Sequence, residues 1–151
     1  MAYAKIDPQV LGYLGRALSL EMTAVQQYLS VSRLLKLRGF DEMAAKFQTE
    51  AQQEIGHAER IIGRMLVLGV APNATQLRPA KLGDSLPAVL ASVQSLEAEI
   101  VNYYQQAVKH CAAVDDFDSQ LFFDQLLQEE RQHVSALSDW QQQHLRPRAA
   151  E

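Results

Sequence analysis

Cysteine is almost absent from this chain, with Cys111 the single one among 151 residues. That excludes an internal disulfide, a four-thiolate metal site and an iron–sulfur cluster ligated within one chain. Long apolar runs are absent as well: the longest, about 61–71, is broken by Arg64 and falls far short of a membrane span. Basic runs never exceed a couple of residues, and 14 basic residues face 18 acidic ones. Neither pattern is the footprint of a nucleic-acid or membrane partner. The first residues, Met1 to Pro8, carry no apolar stretch of a secretory signal. The expectation is a cytoplasmic, soluble, single domain over 1–151, long enough to bury about two-thirds of its unfolded surface.

Glycine and proline are scarce, at 7 and 5, and fall where boundaries are needed. Ala, Leu, Gln, Glu and Lys fill the tracts between them, all good helix formers. Four helices are predicted, over about 8–38, 41–68, 85–113 and 116–145. Asp7 and Asp41 are the expected N-caps of the first two, with Pro8 at a first helical position and Gly39 and Gly69 as stops. The third starts at Asp84 or Ser85, and the fourth stops before Pro147. The short connections make two antiparallel hairpins. Residues 69–84 carry two prolines and little periodicity, and sixteen extended residues reach roughly 50 Å, enough to cross the bundle. The predicted fold is all-α: an antiparallel four-helix bundle, ferritin-like, in which two hairpins are joined by one long crossover.

Each helix threads onto alternating three- and four-residue steps, the pattern of a buried seam. Apolar residues fill most seam positions near the helix ends, while Glu21, Glu54, Glu97 and Glu130 fall near the four midpoints. In antiparallel helices of similar length, midpoints share one level. His57 and His133 follow Glu54 and Glu130 by three residues, on the same helical face. The chain also repeats internally at an offset of 76, which maps Glu21 onto Glu97, Glu54 onto Glu130, His57 onto His133, Tyr28 onto Tyr104 and Phe47 onto Phe123. One Glu-x-x-His on a helix is usually a solvated face. Two copies, each 33 residues after a seam glutamate, are not.

Charge decides the reading. A buried, unpaired carboxylate costs several kcal/mol even after relaxation, and four in one layer also repel. Four glutamates and two neutral histidines balance two divalent cations, and mixed oxygen and imidazole donors suit iron, with manganese as the other option. The metal set is therefore Glu21, Glu54, His57, Glu97, Glu130 and His133; Tyr28 and Tyr104 are expected to pack in the core, where their hydroxyls can hydrogen-bond to metal-bound glutamates. Glu50 lies one turn from Glu54 but maps onto Leu126; it is an auxiliary candidate. Glu99 is expected to be solvated, His110 and His144 exposed, and Cys111 in the core.

With these residues in place the sequence resembles the bacterioferritins, a branch of the ferritin-like superfamily, over about residues 9–140. The resemblance rests on the stretch Leu20 to Tyr28, on Glu54-x-x-His57-Ala58-Glu59-Arg60, and on Glu97 with Glu130-x-x-His133. Two Glu-x-x-His motifs favour this branch over animal-type ferritins, and the lone cysteine disfavours the rubredoxin-fused peroxidases. The resemblance implies that Glu54 and Glu130 bridge two irons, that Glu21 and Glu97 are terminal carboxylates, and that His57 and His133 each complete one iron's ligands. The activity implied is ferroxidation, in which Fe(II) is oxidised by oxygen or peroxide and stored as a ferric mineral. Self-association as a dimer or larger shell is implied as well.

Three positions depart from the family pattern. The haem-ligating methionine is replaced by Ile55, so no haem is expected. Thr49 and Gln53 stand where some members carry inner-surface iron ligands. Only 18 residues follow His133, with Pro147 among them, so no clear counterpart of the family's short fifth helix is expected. Two other function classes fit the same site: a di-iron or di-manganese peroxidase, catalase or oxygenase, and a non-catalytic subunit of a mixed shell. The complete ligand set counts against the latter.

Overall fold

The computed structural model describes residues 5–144. Within them the chain forms four helices, α1 (Pro8–Leu37), α2 (Asp41–Val67), α3 (Leu86–Ala113) and α4 (Phe117–His144). The starts follow capping chemistry. Asp7 accepts from the backbone N–H groups of Gln9 (2.8 Å) and Val10 (3.3 Å), ahead of Pro8. Ser85 accepts from Ala88 N–H at 3.3 Å, and Asp116 from Ser119 N–H at 3.0 Å.

The start of α2 differs from the expectation. Asp41 is the first helical residue, and Phe40 holds the cap position without a side-chain bond. The reason is the tight hand-over from α1, since Phe40 N–H already bonds Leu35 O at 2.9 Å. Asp41 and Glu42 then sit in the first turn, where the helix dipole favours acids. Leu145 and Pro147, the expected end of the last helix, lie outside the described residues.

Three helices end in the same way. After α1, Gly39 N–H bonds Lys36 O (3.1 Å) and Phe40 N–H bonds Leu35 O, with Gly39 at φ 84°. After α2, Gly69 and Val70 make the matching bonds to Leu66 and Met65, with Gly69 at φ 77°. After α3, Asp115 and Asp116 bond Ala112 (3.3 Å) and Cys111 (2.9 Å), and Asp115 takes the left-handed position at φ 58°. These closures satisfy carbonyls that the helix ends leave free and reverse the chain within a few residues.

The pairings run antiparallel. Tyr28 packs on Phe47 across α1 and α2, Tyr104 on Phe123 across α3 and α4, and His57 reaches Glu130 across α2 and α4. Most expected seam positions are buried. Arg64, Leu68, Leu86, His133 and Trp140 are only half-buried, and Met65 takes the buried place near the end of α2. A straight helix drifts about 20° per heptad from a strict seam, so the error accumulates toward the ends.

The crossover lies along α1. Gln76 N–H donates to Ser19 Oγ (3.1 Å), Arg78 N–H to Thr23 Oγ1 (3.4 Å), and Lys81 N–H to Gln27 Oε1 (2.7 Å). Gln27 Nε2 returns a bond to Lys81 O at 2.8 Å. Ser19, Thr23 and Gln27 are spaced one helical turn apart and are buried by the strand of chain they hold. They satisfy backbone groups that an irregular segment would otherwise leave unpaired.

Asp115 is the one non-glycine residue with positive φ among those described. Asp115→Gly removes a left-handed cost of about 1–2 kcal/mol but gives the unfolded chain about 0.4–1 kcal/mol of extra conformational entropy. The expected net effect is a small stabilisation, a few tenths of a kcal/mol up to about 1 kcal/mol. Urea unfolding of the metal-free protein measures it.

Candidate metal centre

Each helix delivers its midpoint carboxylate to one buried layer. Glu21 comes from α1, Glu54 from α2, Glu97 from α3 and Glu130 from α4, none more than 2% exposed. His57 is buried beside them, and His133 is half-buried. Four of these residues, Glu21, Glu54, His57 and Glu130, place donor atoms all within 4.8 Å of one another. Glu97 and His133 border that group without joining it so closely. His133 Nδ1 lies 3.5 Å from Glu54 Oε1, and its ring stacks on His57 at 5.5 Å between centroids.

The tyrosines cross-link the layer. Tyr28 donates to Glu97 Oε1 at 2.7 Å, and Tyr104 donates to Glu21 Oε1 at 2.5 Å. The internal repeat exchanges these two bonds, so each half of the sequence steadies the other half's carboxylate. Both hydroxyls are held well above their ordinary pKa, first by burial and then by nearby carboxylates, and remain donors.

Within the protein alone, His57 is the counter-charge. Its Nδ1 faces Glu130 Oε1 (2.8 Å), Glu21 Oε1 (3.5 Å) and Glu54 Oε2 (3.5 Å), while Nε2 faces Glu129 Oε2 at 3.4 Å. Burial would lower its pKa, but the bonds to Glu130, Glu21 and Glu54 outweigh burial and push it up to about 12. The carboxylates move up too. Burial, then the charge of Glu54, holds Glu21 well above the usual range. Burial raises Glu97 to about 7 against the lowering bond from Tyr28. Burial also raises Glu130, with His57 opposing it. At His133 burial lowers the pKa, and Glu54 and the other nearby carboxylates raise it on balance.

One cation does not satisfy this layer. Glu21 Oε2, both oxygens of Glu54, Glu130 Oε2 and His133 Nδ1 are buried without a hydrogen-bond partner. Buried polar atoms are nearly always paired, so a cluster of orphans in one place requires an explanation. Hard oxygen donors with two imidazoles around it fit divalent iron or manganese.

The remaining candidates separate. Glu50 is buried, with Lys46 Nζ 3.2 Å from Oε1 and Oε2 unpartnered. Glu99 is exposed and pairs with Arg78 (2.9 Å), and Cys111 is a core residue whose thiol burial raises to about 11. His144 is exposed, with Nε2 3.1 Å from Glu42. His110 departs from expectation: it is half-buried against Tyr13, with Nε2 3.1 Å from the capping carboxylate of Asp7. Sequence reasoning missed Glu129 and Arg60, which bond to each other beside His57. The available signal was an acid directly preceding the second Glu-x-x-His.

A buried carboxylate and histidine layer in a crossed-over four-helix bundle is the arrangement shared by the di-metal carboxylate proteins, and comparison with known proteins narrows the class. The family model for the ferritin-like domain matches residues 11–145. Bacterioferritin of Rhodobacter capsulatus is 35% identical over 133 residues, spanning 88% of this chain and 83% of that protein. Bacterioferritin of Brucella melitensis is 32% identical over 133 residues, again covering 88% and 83%. A solved structure of Rhodobacter capsulatus bacterioferritin, with a metal-free dinuclear site and haem iron in a special position, superimposes with a TM-score of 0.87. It is 31% identical, and the match covers 98% of this chain and 100% of that one. The chain belongs to the ferritin-like family, on its bacterioferritin branch.

The raised carboxylates set a pH dependence. A carboxyl held higher in the folded state stabilises below its ordinary value, and that contribution is lost as pH rises through the folded value. Glu97 therefore withdraws stability from the metal-free protein between about 4.5 and about 7. The His57 contribution is full below 6.5 and is lost as pH climbs toward about 12. Thermal melts in chelator are expected to give a higher midpoint at pH 5 than at pH 8, with Glu97→Gln flattening the slope between. Manganese(II) at pH 8 should restore the midpoint, since a cation favours the ionised form. A metal-free midpoint that rises from pH 5 to 8 would mean the layer ionises without cost.

Proposed function

We propose that the chain is a ferroxidase that oxidises Fe(II) with oxygen or peroxide for iron storage and detoxification. The observation that carries this is the buried layer of four glutamates and two histidines with its orphaned oxygens. Glu54 and Glu130, central to the layer, would lie between two irons. Glu21 with His57 would hold one iron, and Glu97 with His133 the other. Two Fe(II) ions held there as substrate would each give up one electron and become Fe(III). The two electrons with two protons would take oxygen to hydrogen peroxide, or hydrogen peroxide to two waters. The protein's own part is to hold the carboxylates in place. Tyr28 and Tyr104 fix the terminal carboxylates by hydrogen bonds.

Relatives named as bacterioferritins support storage over a peroxidase, catalase or oxygenase on the same residues. Among the described residues no helix is long and apolar enough to cross a membrane. A cytoplasmic location, self-association as a dimer or larger shell, and no nucleic-acid partner complete the proposal. Manganese is the alternative metal.

Aerobic addition of excess Fe(II), followed by sizing and iron analysis, tests the function. An assembly retaining far more than two irons per chain is expected. Glu54→Ala or Glu130→Ala should slow oxidation by about 100-fold or more, beyond the 10–100-fold typical of groups that only support a ligand. Rapid peroxide consumption with no retained iron would overturn storage.

Haem is tested separately. Ile55 offers no donor atom and is stiff at its branched Cβ. The other methionines of α2, Met43 and Met65, are packed in the core at 7% and 3% exposure. The purified protein mixed with hemin is expected to show no stoichiometric low-spin haem, and Ile55→Met to gain it. Low-spin haem in the unmodified protein would place the ligand elsewhere.

A further inference from the structure

Glu129 lies outside the six-residue set but touches it. Its Oε2 is 3.4 Å from His57 Nε2, the ring nitrogen that faces away from the carboxylate layer. Arg60 Nη1 donates to the same oxygen. Glu129 is 43% exposed, so the Arg60 contact, more than burial, fixes its position. On the other side of the ring, Nδ1 faces Glu130, Glu21 and Glu54. A histidine that gives one nitrogen to a cation carries its proton on the other, and a carboxylate at that proton fixes the tautomer and the ring while strengthening the ligand.

The other half of the site is built differently. The repeat that maps His57 onto His133 maps Gln53 onto Glu129, so the residue matching Glu129 is an uncharged amide. Gln53 is exposed. Among the described residues His133 has only the 3.5 Å approach of Nδ1 to Glu54 and its stack on His57. The close group of donors, within 4.8 Å, is likewise the one containing His57.

We infer that Glu129 is a positioning residue for the metal centre, acting through His57 Nε2 so that the Glu21–His57 position binds its cation more tightly than the Glu97–His133 position. The inference rests on the two-metal reading above. Arg60 holds the carboxylate at the rim, and Gln53 leaves the second position without the same support. The first divalent cation therefore loads beside His57.

Cobalt(II) titration of the chelator-treated full chain, followed by calorimetry and ligand-field absorption, tests this. The unmodified protein is expected to take two cobalt ions per chain in two resolved steps. Glu129→Gln keeps a hydrogen-bond acceptor but removes the charge. It should weaken the first step about 10- to 100-fold, shift its absorption spectrum and bring the two steps together. Gln53→Glu supplies the missing carboxylate and should tighten the second step. Matching melting midpoints of the metal-free forms show that the variants fold. Two cobalt ions bound by Glu129→Gln with an unchanged first step and spectrum would overturn the role of Glu129 and leave the two-metal site standing. An unmodified chain that takes up no cobalt would overturn the two-metal reading and this inference with it.

Discussion

Four carboxylates in one dry layer cannot all stay ionised without a counter-charge. Desolvation costs several kcal/mol for each ion, and mutual repulsion adds to it. Most of the site's chemistry is a response to that conflict. In the protein alone the response is internal: His57 is driven toward its cationic form, while Glu21, Glu97 and Glu130 hold their protons more strongly than free carboxyls. Divalent cations resolve the same conflict from outside. Proton binding and metal binding are thus competing ways to neutralise one layer, and a cation entering it would displace protons.

The bundle keeps that layer in place from a distance. The tight closures at Gly39 and Asp115 set the level at which α1 meets α2 and α3 meets α4. The crossover, bonded to Ser19, Thr23 and Gln27, sets how one hairpin lies on the other. The tyrosine bonds then tie α1 to α3 at the layer itself. A slip of one helix by a residue would move its carboxylate about 1.5 Å along the axis and rotate it by about 100°.

The layer was legible because burying a charge leaves a pattern that few other causes produce. Glu21, Glu54, Glu97 and Glu130 stand where apolar residues belong, at matched depth, and the structure puts them at one level. Helix ends were legible where one residue type carries the signal, as at Asp7, Pro8 and Gly39. They were less so where two turns share groups: Asp41 lost the cap position because Phe40 was already bonded into the preceding closure. The Ser19–Thr23–Gln27 stripe was missed for a related reason. Polar residues one turn apart read as a solvent face, and only the three-dimensional course of the crossover buries them. His110 was misread because its partner, Asp7, is far away in sequence.

The departures from the repeat carry as much information as the repeat. A duplicated hairpin tends toward two equal metal positions, and the six donors and two tyrosines keep that equivalence in sequence. Glu50 opposite Leu126, and Glu129 opposite Gln53, break it. Glu50 adds negative charge near Glu97 and His133, where it pushes both pKa values up. Glu129 adds its charge on the far side of His57. The added acids therefore act differently on the two halves: Glu129 faces His57 from outside the layer, whereas Glu50 is a buried carboxylate with an unpartnered oxygen near Glu97 and His133. On the two-metal reading, the broken positions of the repeat would make the two cation positions unequal.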